Sequence, residues 1–184
     1  MTDAIQSLFD EHDVISEAVD VAVHAEQLIA TDADRYEEVV RSLLEFFRVY
    51  ADGFHHHKEE EILFPEMSKK NDLLGDGVIK EMLENHQDFR DMLQGIENFL
   101  EQKNYAKVQQ KLMAYTDALQ DHIAVENDEV FQVAEALLDP GELERIYFQF
   151  CDADRETDDK LSGDNRHTKQ QLVSMMREIK GRLA

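Results

Sequence analysis

Two pairs of histidine and glutamate, each spaced four residues apart, are the features of this sequence that could do chemistry. The pairs are His55 with Glu59 and His122 with Glu126. Residues four apart lie on one face of an α-helix, with their Cβ atoms about 5–6 Å apart. Each pair would therefore direct an imidazole and a carboxylate to the same point. Because an unpaired buried carboxylate is costly, two such pairs on inward-facing stripes indicate a metal site.

Two further histidines, His12 and His86, interrupt the apolar stripes of other predicted helices. His12 and His55 lie about 21 and 22 residues from the break between their helices, and His86 and His122 about 17 and 18 residues from theirs. At 1.5 Å per residue, the members of each pair would reach the same depth if the helices run antiparallel. The spacing therefore predicts one site with a histidine from each of four helices.

The donor atoms of this set are enough for two metal ions. Four imidazole nitrogens and four oxygens from two bridging carboxylates give each ion four donors. A shared oxo or hydroxo group would add a fifth and leave a position open for a small ligand. Imidazole and carboxylate suit iron, manganese or zinc, whereas a cysteine-rich zinc site would need thiolates. The predicted metal ligands are His12, His55, Glu59, His86, His122 and Glu126.

A second pairing exists beside the first, because His56 and Glu60 are also four residues apart. On an ideal helix His56 and His57 point about 100° and 200° away from His55, which favours the surface for both. The apolar stripe of this helix continues through His55 and Glu59. We therefore favour His55 with Glu59 and keep His56 with Glu60 as the alternative ligands.

The hydrophobic pattern predicts an all-α protein with four long helices. Apolar residues recur in steps of three and four over about residues 3–30, 35–69, 78–102 and 105–138. Pro65 predicts a kink or an early end of the second helix, residues 71–77 a loop, and residues 139–141 a stop. Short connections favour an up-down-up-down four-helix bundle. We expect this bundle over residues 1–138, with residues 139–184 as a C-terminal helical extension packed on or beside it.

The amino-acid composition argues against two classes of binding partner. The chain has 41 acidic and 19 basic residues and a formal net charge of −22, which argues against nucleic acid and against an anionic membrane surface. Apolar runs stay well short of the roughly 18 residues of a spanning helix, and the first residues lack a signal-peptide pattern. We expect a cytoplasmic protein, in which residues 141–184 offer a surface to a protein partner.

Several segments resemble the hemerythrin-like family, also called the HHE cation-binding domain. Residues 55–65 resemble that family's signature, and residues 122–126, followed by Val130 and Phe131, resemble its second signature. Residues 8–13 and 84–86 resemble its first-helix and third-helix segments. The resemblance covers about residues 1–138. It implies a bundle that holds two non-haem iron ions with an oxo or hydroxo bridge, with Glu59 and Glu126 as bridging ligands.

The sequence departs from the oxygen-carrying hemerythrins at two places. Those proteins have a second histidine one turn from the third-helix ligand, where this chain has Met82 and Arg90, and their last motif is His-x-x-x-x-Asp. The resemblance is therefore closer to the bacterial stress-linked branch. It implies binding of O2, NO or peroxide in sensing or in the oxidative or nitrosative stress response. A di-iron enzyme with catalase-like or oxidase activity and an acidic, metal-stabilised interaction bundle are the alternatives.

Overall fold

The computed structural model describes residues 4–183, and nearly all of them are helical. No strand occurs in this range, so the all-α class is confirmed. No helix within it is both long and apolar enough to cross a membrane. In chain order the helices are α1 (Ala4–Ala25), α2 (Leu28–Thr31), α3 (Ala33–Phe46), π1 (Phe47–His56), π2 (Glu59–Leu63), α4 (Phe64–Lys70), α5 (Asp72–Asp76), α6 (Val78–Glu101), α7 (Tyr105–Val125), π3 (Glu126–Val130), α8 (Phe131–Leu137), α9 (Pro140–Gly163) and α10 (Lys169–Leu183).

The second and fourth predicted helices are composite, because π-helical segments interrupt them. In a π-helix a backbone N–H bonds to the carbonyl five residues earlier, instead of four. The N–H of Phe64 bonds in this way to the carbonyl of Glu59, and that of Phe131 to the carbonyl of Glu126. Each π segment contains at least one predicted ligand. Short π segments are frequent at functional sites, so their positions agree with the motif analysis.

Two local predictions for residues 64–77 need correction. The chain stays helical through Pro65 to Lys70, so the early end at Pro65 is wrong. A proline ring clashes with the carbonyl four residues earlier in an α-helix, and here the wider π2 segment precedes Pro65. The predicted loop at residues 71–77 contains the single turn α5, whose N-terminus is capped by Asn71.

The candidate ligands lie between two apolar clusters. Along α1, His12 separates Leu8 of one cluster from Ile15 of the other, and along α6, His86 separates Met82 from Phe89. The same change occurs in the other two long helices. The cluster that contains Ile15 and Phe89 also includes Phe54 and Leu119, and the cluster that contains Leu8 and Met82 also includes Leu63 and Val130. The polar side chains therefore form one layer across the protein.

The last two helices pack against α1 and contribute to both apolar clusters. Ile146 and Phe150 of α9 join the cluster of Leu8, and Leu172 and Met176 of α10 join the cluster of Ile15. Residue Asp139 begins α9 with a capping box, in which Asp139 and Glu142 each bond to the backbone of the other. Residues 139–183 are thus continuous with the core.

Candidate metal centre

The structure brings seven of the eight candidate ligands together in two adjoining groups. The donor atoms of each group lie within 4.8 Å of one another, and all seven residues are buried. Glu60 belongs to neither group. We call His12, His55, Glu59 and Glu126 the first group, and His56, His86 and His122 the second group.

Glu59 lies between the two groups. Its Oε1 is 3.5 Å from Nε2 of His55, and its Oε2 is 3.6 Å from Nε2 of His86. Its side chain is fully buried because Glu59 begins π2 on the inner face of the helix. Each carboxylate oxygen therefore faces an imidazole of a different group, which is the arrangement of a bridging ligand.

Glu126 has the same relation to the two groups. Its Oε2 is 3.2 Å from Nε2 of His12, while its Oε1 is 3.1 Å from Nε2 of His122 and 3.8 Å from Nε2 of His86. Glu126 begins π3 and is fully buried. Each of the two glutamates therefore lies close to imidazoles of both groups, and both glutamates approach His86.

The π1 segment places two adjacent histidines inside the protein. His55 is 1% exposed and His56 is 2% exposed, whereas His57 is exposed. The prediction of a surface position is therefore wrong for His56 and confirmed for His57. An α-helical period separates neighbouring side chains by about 100°, but a π turn contains more residues and reduces that angle. The centre consequently holds five imidazoles, one more than the sequence count.

Hydrogen bonds on the outer ring nitrogens hold the imidazoles of the first group. The Nδ1–H of His12 donates to Oδ1 of Asn127 at 2.8 Å, and the Nδ1–H of His55 donates to Oε2 of Glu11 at 2.9 Å. Such outer partners fix the tautomer and the ring orientation of a metal-binding histidine. In both residues the Nε2 lone pair is left to face the centre.

The second group is held in the same way. Nδ1 of His86 is 2.8 Å from Oε1 of Glu60, and Nδ1 of His56 is 3.4 Å from Oδ1 of Asp52. The alternative that Glu60 is itself a ligand is therefore not supported, because its carboxylate lies on the outer side of His86. His56, by contrast, stacks directly on His86, with ring centroids 3.8 Å apart.

Glu11 connects the first group to a network of charged side chains. Its Oε1 bonds to Lys58, and it lies 2.5 Å from Nζ of Lys169, which in turn lies 2.5 Å from Oδ2 of Asp154. Burial alone would raise the pKa of the Glu11 carboxyl, but the hydrogen bond from His55 and the two lysines hold it well below its usual range. Glu11 is therefore charged when it accepts the hydrogen bond from the Nδ1–H of His55.

Six buried polar atoms of the first group have no hydrogen-bond partner within residues 4–183. They are Nε2 of His12, Nε2 of His55 and both carboxylate oxygens of Glu59 and Glu126. An unsatisfied buried polar atom costs about 1–3 kcal/mol, so six of them at one point need a further partner. Imidazole and carboxylate are donors that iron, zinc and manganese accept. The residues present therefore fit a metal pair.

Burial and neighbouring charges shift the pKa values of the buried glutamates and of His55. Burial raises the pKa of the Glu59 carboxyl well above its usual range, and the charge of Glu126 raises it further. Burial acts in the same direction on Glu126, but His122 and His12 hold its pKa well below the usual range. Burial and the neighbouring His12 lower the pKa of His55 to about 4. His55 is thus neutral near pH 7 and can donate a lone pair to a cation.

Aromatic rings surround the imidazoles. Phe131 stacks on His12 at 5.3 Å, and Phe89 meets His122 edge-on at 5.1 Å. Tyr115 packs edge-on against Phe89 behind this wall. The apolar wall limits the contact of the donors with water.

Two other histidines, His24 and His167, are exposed. Glu11 and Asp52 were missed. Glu11 stands in the polar run 10–13, where a carboxylate usually faces solvent, and Asp52 is a single acidic residue between Ala51 and Gly53. The spacing of Asp52 and His56, four residues apart, is the one sequence signal that could have identified either of them.

These observations define the class of the protein: it is all-helical and has a buried layer of histidine and glutamate side chains. The family described as the hemerythrin HHE cation binding domain matches residues 3–134. The chain belongs to this family, and the resemblance drawn from its motifs is confirmed. Every residue of both groups falls within the matched range, whereas α9 and α10 lie beyond it. No curated protein matches the chain.

Proposed function

We propose that this protein is a non-haem di-iron protein that binds O2, NO or peroxide, in sensing or in the response to oxidative or nitrosative stress. The observation that carries the proposal is the position of the two buried glutamates. Glu59 and Glu126 each direct one oxygen toward each group of imidazoles. Two metal ions that share both carboxylates match this arrangement.

The proposed frame is an up-down-up-down four-helix bundle. Along α1 and α6 the chain passes from the cluster of Leu8 to the cluster of Ile15, and in the other two long helices it passes in the opposite order. Alternating order along the chain is expected when successive helices are antiparallel. The four helices then meet the metal pair at one level.

The two groups would hold their ions unequally. The first group offers two imidazoles and the second offers three, and each carboxylate faces imidazoles of both groups. The first group would therefore supply four protein donors to an ion, and the second group would supply five. We place the small ligand at the first group, beside His12 and His55, where fewer protein donors leave more positions open.

The metal pair, when bound, would supply the redox chemistry and the open positions for the small ligand. The protein residues orient the donors and limit water. Asn127 and Glu11 keep a proton on Nδ1 of the two first-group imidazoles, which leaves their Nε2 atoms free to bind. Phe131 covers His12 on its ring face. A centre with donors this deeply buried favours a ligand with two non-hydrogen atoms, such as O2, NO or peroxide.

The proposal is tested by loading the metal-free protein with Fe(II) under argon, measuring iron by mass spectrometry, and then adding O2, NO or peroxide. We expect about two irons per chain and a charge-transfer band that changes stoichiometrically with one of the ligands. Glu126→Ala should lose the second iron, because a shared ligand is removed. Glu129→Ala is the matched control, since Glu129 lies in the same π3 segment and is exposed.

Two results would contradict the proposal. Two irons retained with full affinity in Glu126→Ala would remove the bridging assignment. Continuous consumption of peroxide by the iron-loaded protein, in place of one stoichiometric adduct, would favour the catalase-like alternative.

A further inference from the structure

One guanidinium group connects the outer partners of two imidazoles in the second group. Nε of Arg90 bonds to Oδ1 of Asp52 at 2.8 Å, and its Nη2 bonds to Oε1 of Glu60 at 2.7 Å. The same two carboxylate oxygens lie against Nδ1 of His56 and Nδ1 of His86. The two oxygens are therefore held between the arginine on one side and an imidazole on the other.

Through these contacts, the side chain of Arg90 links three helical segments. Arg90 is in α6, one turn after His86, while Asp52 is in π1 and Glu60 is in π2. The planar guanidinium can hold two carboxylates at fixed angles, which the single ammonium group of a lysine cannot do. The geometry of the fork, and not only its charge, sets where the two carboxylates lie.

We propose that Arg90 is a positioning residue for the second group, which fixes His56 and His86 through Asp52 and Glu60. The inference rests on the proposed function, because it assumes that the two groups hold metal ions. Asn127 and Glu11 hold the first group without Arg90. A change at Arg90 should therefore affect one of the two ions.

The charge of Arg90 and the geometry of its guanidinium predict opposite effects on cation affinity when Arg90 is replaced. Removing a positive charge close to the centre would strengthen cation binding by electrostatics alone. Loss of the fork would weaken cation binding, since outer partners of metal-binding histidines typically contribute about 10- to 100-fold in affinity. Arg90→Lys keeps the charge and removes the fork, and Arg90→Met removes both.

Arg48 provides a matched control. Two of its nitrogens bond to Glu97 at 3.1 and 2.8 Å, and this ion pair also joins π1 to α6. The side chains of Arg48 and Arg90 are each 36% exposed. Within residues 4–183, Glu97 bonds to Arg48 and Gln94 and to no imidazole, so the Arg48 pair tests the effect of losing an ion pair between the same two segments.

The experiment is a titration of the metal-free proteins with Co2+, followed by visible absorption and competition with a chelator. Wild type should bind two Co2+, and both Arg90→Lys and Arg90→Met should bind one of the two about tenfold more weakly, the lower end of the range for outer partners. Arg48→Lys and Arg48→Met should match wild type. Circular dichroism and melting of the metal-free proteins should be similar for the Arg90 and Arg48 variants.

The outcomes separate this inference from the function on which it rests. A wild type that binds fewer than two Co2+ would overturn the proposed function and this inference together. A wild type that binds two, with Arg90→Lys equal to it or Arg90→Met tighter than it, would overturn the positioning role alone. Equal weakening of both Co2+ ions in the Arg90 variants would also overturn it, because the first group has separate outer partners.

Discussion

At the scale of the residue, His56 and His57 show how differently two neighbours of one type can behave. His56 stacks on His86 in the buried second group, whereas His57 faces solvent. The difference comes from the backbone and not from the chemistry of the side chain. This pair provides the cleanest test of the number of imidazole ligands.

We expect His56→Ala to weaken the binding of one of two Co2+ ions by at least the roughly 10- to 100-fold that loss of an outer partner causes, because it removes a donor atom. His57→Ala should bind both ions as wild type does. The measurement is a Co2+ titration of the two metal-free variants in parallel. Unchanged binding by His56→Ala would mean that the second group holds its ion without this imidazole.

Six of the candidate ligands could be predicted from the sequence because each interrupts an apolar stripe. The structure adds that these six residues are buried and lie close to one another. His56 was placed second, because an ideal helical period turns it away from His55. Glu11 could not be predicted, since it stands in the acidic run 10–13 and its partner Lys169 is remote in the sequence.

At the scale of the element, the wide π turns are what allow the ligand set to assemble. The N–H of His57 bonds to the carbonyl of Asp52, five residues earlier, at the end of π1. A helix of the ordinary period would bring one of the two adjacent histidines inside. The wider turn therefore brings a second imidazole to the candidate site.

Deletion of Gly53 should convert part of π1 into α-helix and turn one of the two histidines outward. We expect the deletion variant to keep its helical circular dichroism but to bind one of two Co2+ ions much more weakly. Gly53→Ala is the control, because it keeps the chain length and its Cβ would meet only the carbonyl of Arg48 at 3.5 Å, an ordinary contact. Two ions bound with wild-type affinity after the deletion would show that the wide turn is dispensable.

The sequence predicted the approximate limits of the helical stretches within residues 33–138 but not their π segments. Periodicity analysis assumes 3.6 residues per turn, and a single added residue inside a 38-residue stretch such as Ala33–Lys70 leaves the apolar stripe almost unchanged. The expectation of a kink or an early end at Pro65 has the same cause, since residue types do not reveal the π2 segment before it.

At the scale of the whole molecule, α9 and α10 do more than cover α1. Lys169 of α10 and Asp154 of α9 complete the charged network around Glu11, whose other oxygen holds His55. These two helices lie beyond the residues that match the family. The sequence suggested that they pack on or beside the bundle, and the tertiary contacts add that they reach the surroundings of the metal centre.

Lys169→Met should lower the free energy of unfolding of the metal-free protein by about 1–3 kcal/mol, because Glu11 and Asp154 each lose a charged partner in a largely buried place. Lys180→Met also removes an ion pair between α10 and α1, but its partner Asp20 is exposed. The exposed pair should contribute at most about 1 kcal/mol. Urea denaturation of both variants at pH 7 gives the comparison, and equal losses would exclude a special role for the network.

The burial of the candidate donors bears on how fast metal ions would exchange. Every candidate donor residue is at most 3% exposed, so an ion held there could not enter or leave while the helices keep these positions. Exchange of metal would then require a transient local opening, and its rate would be set by how often the protein opens. Such a protein would retain its ions through brief periods of metal scarcity and would acquire them most readily while it is still folding.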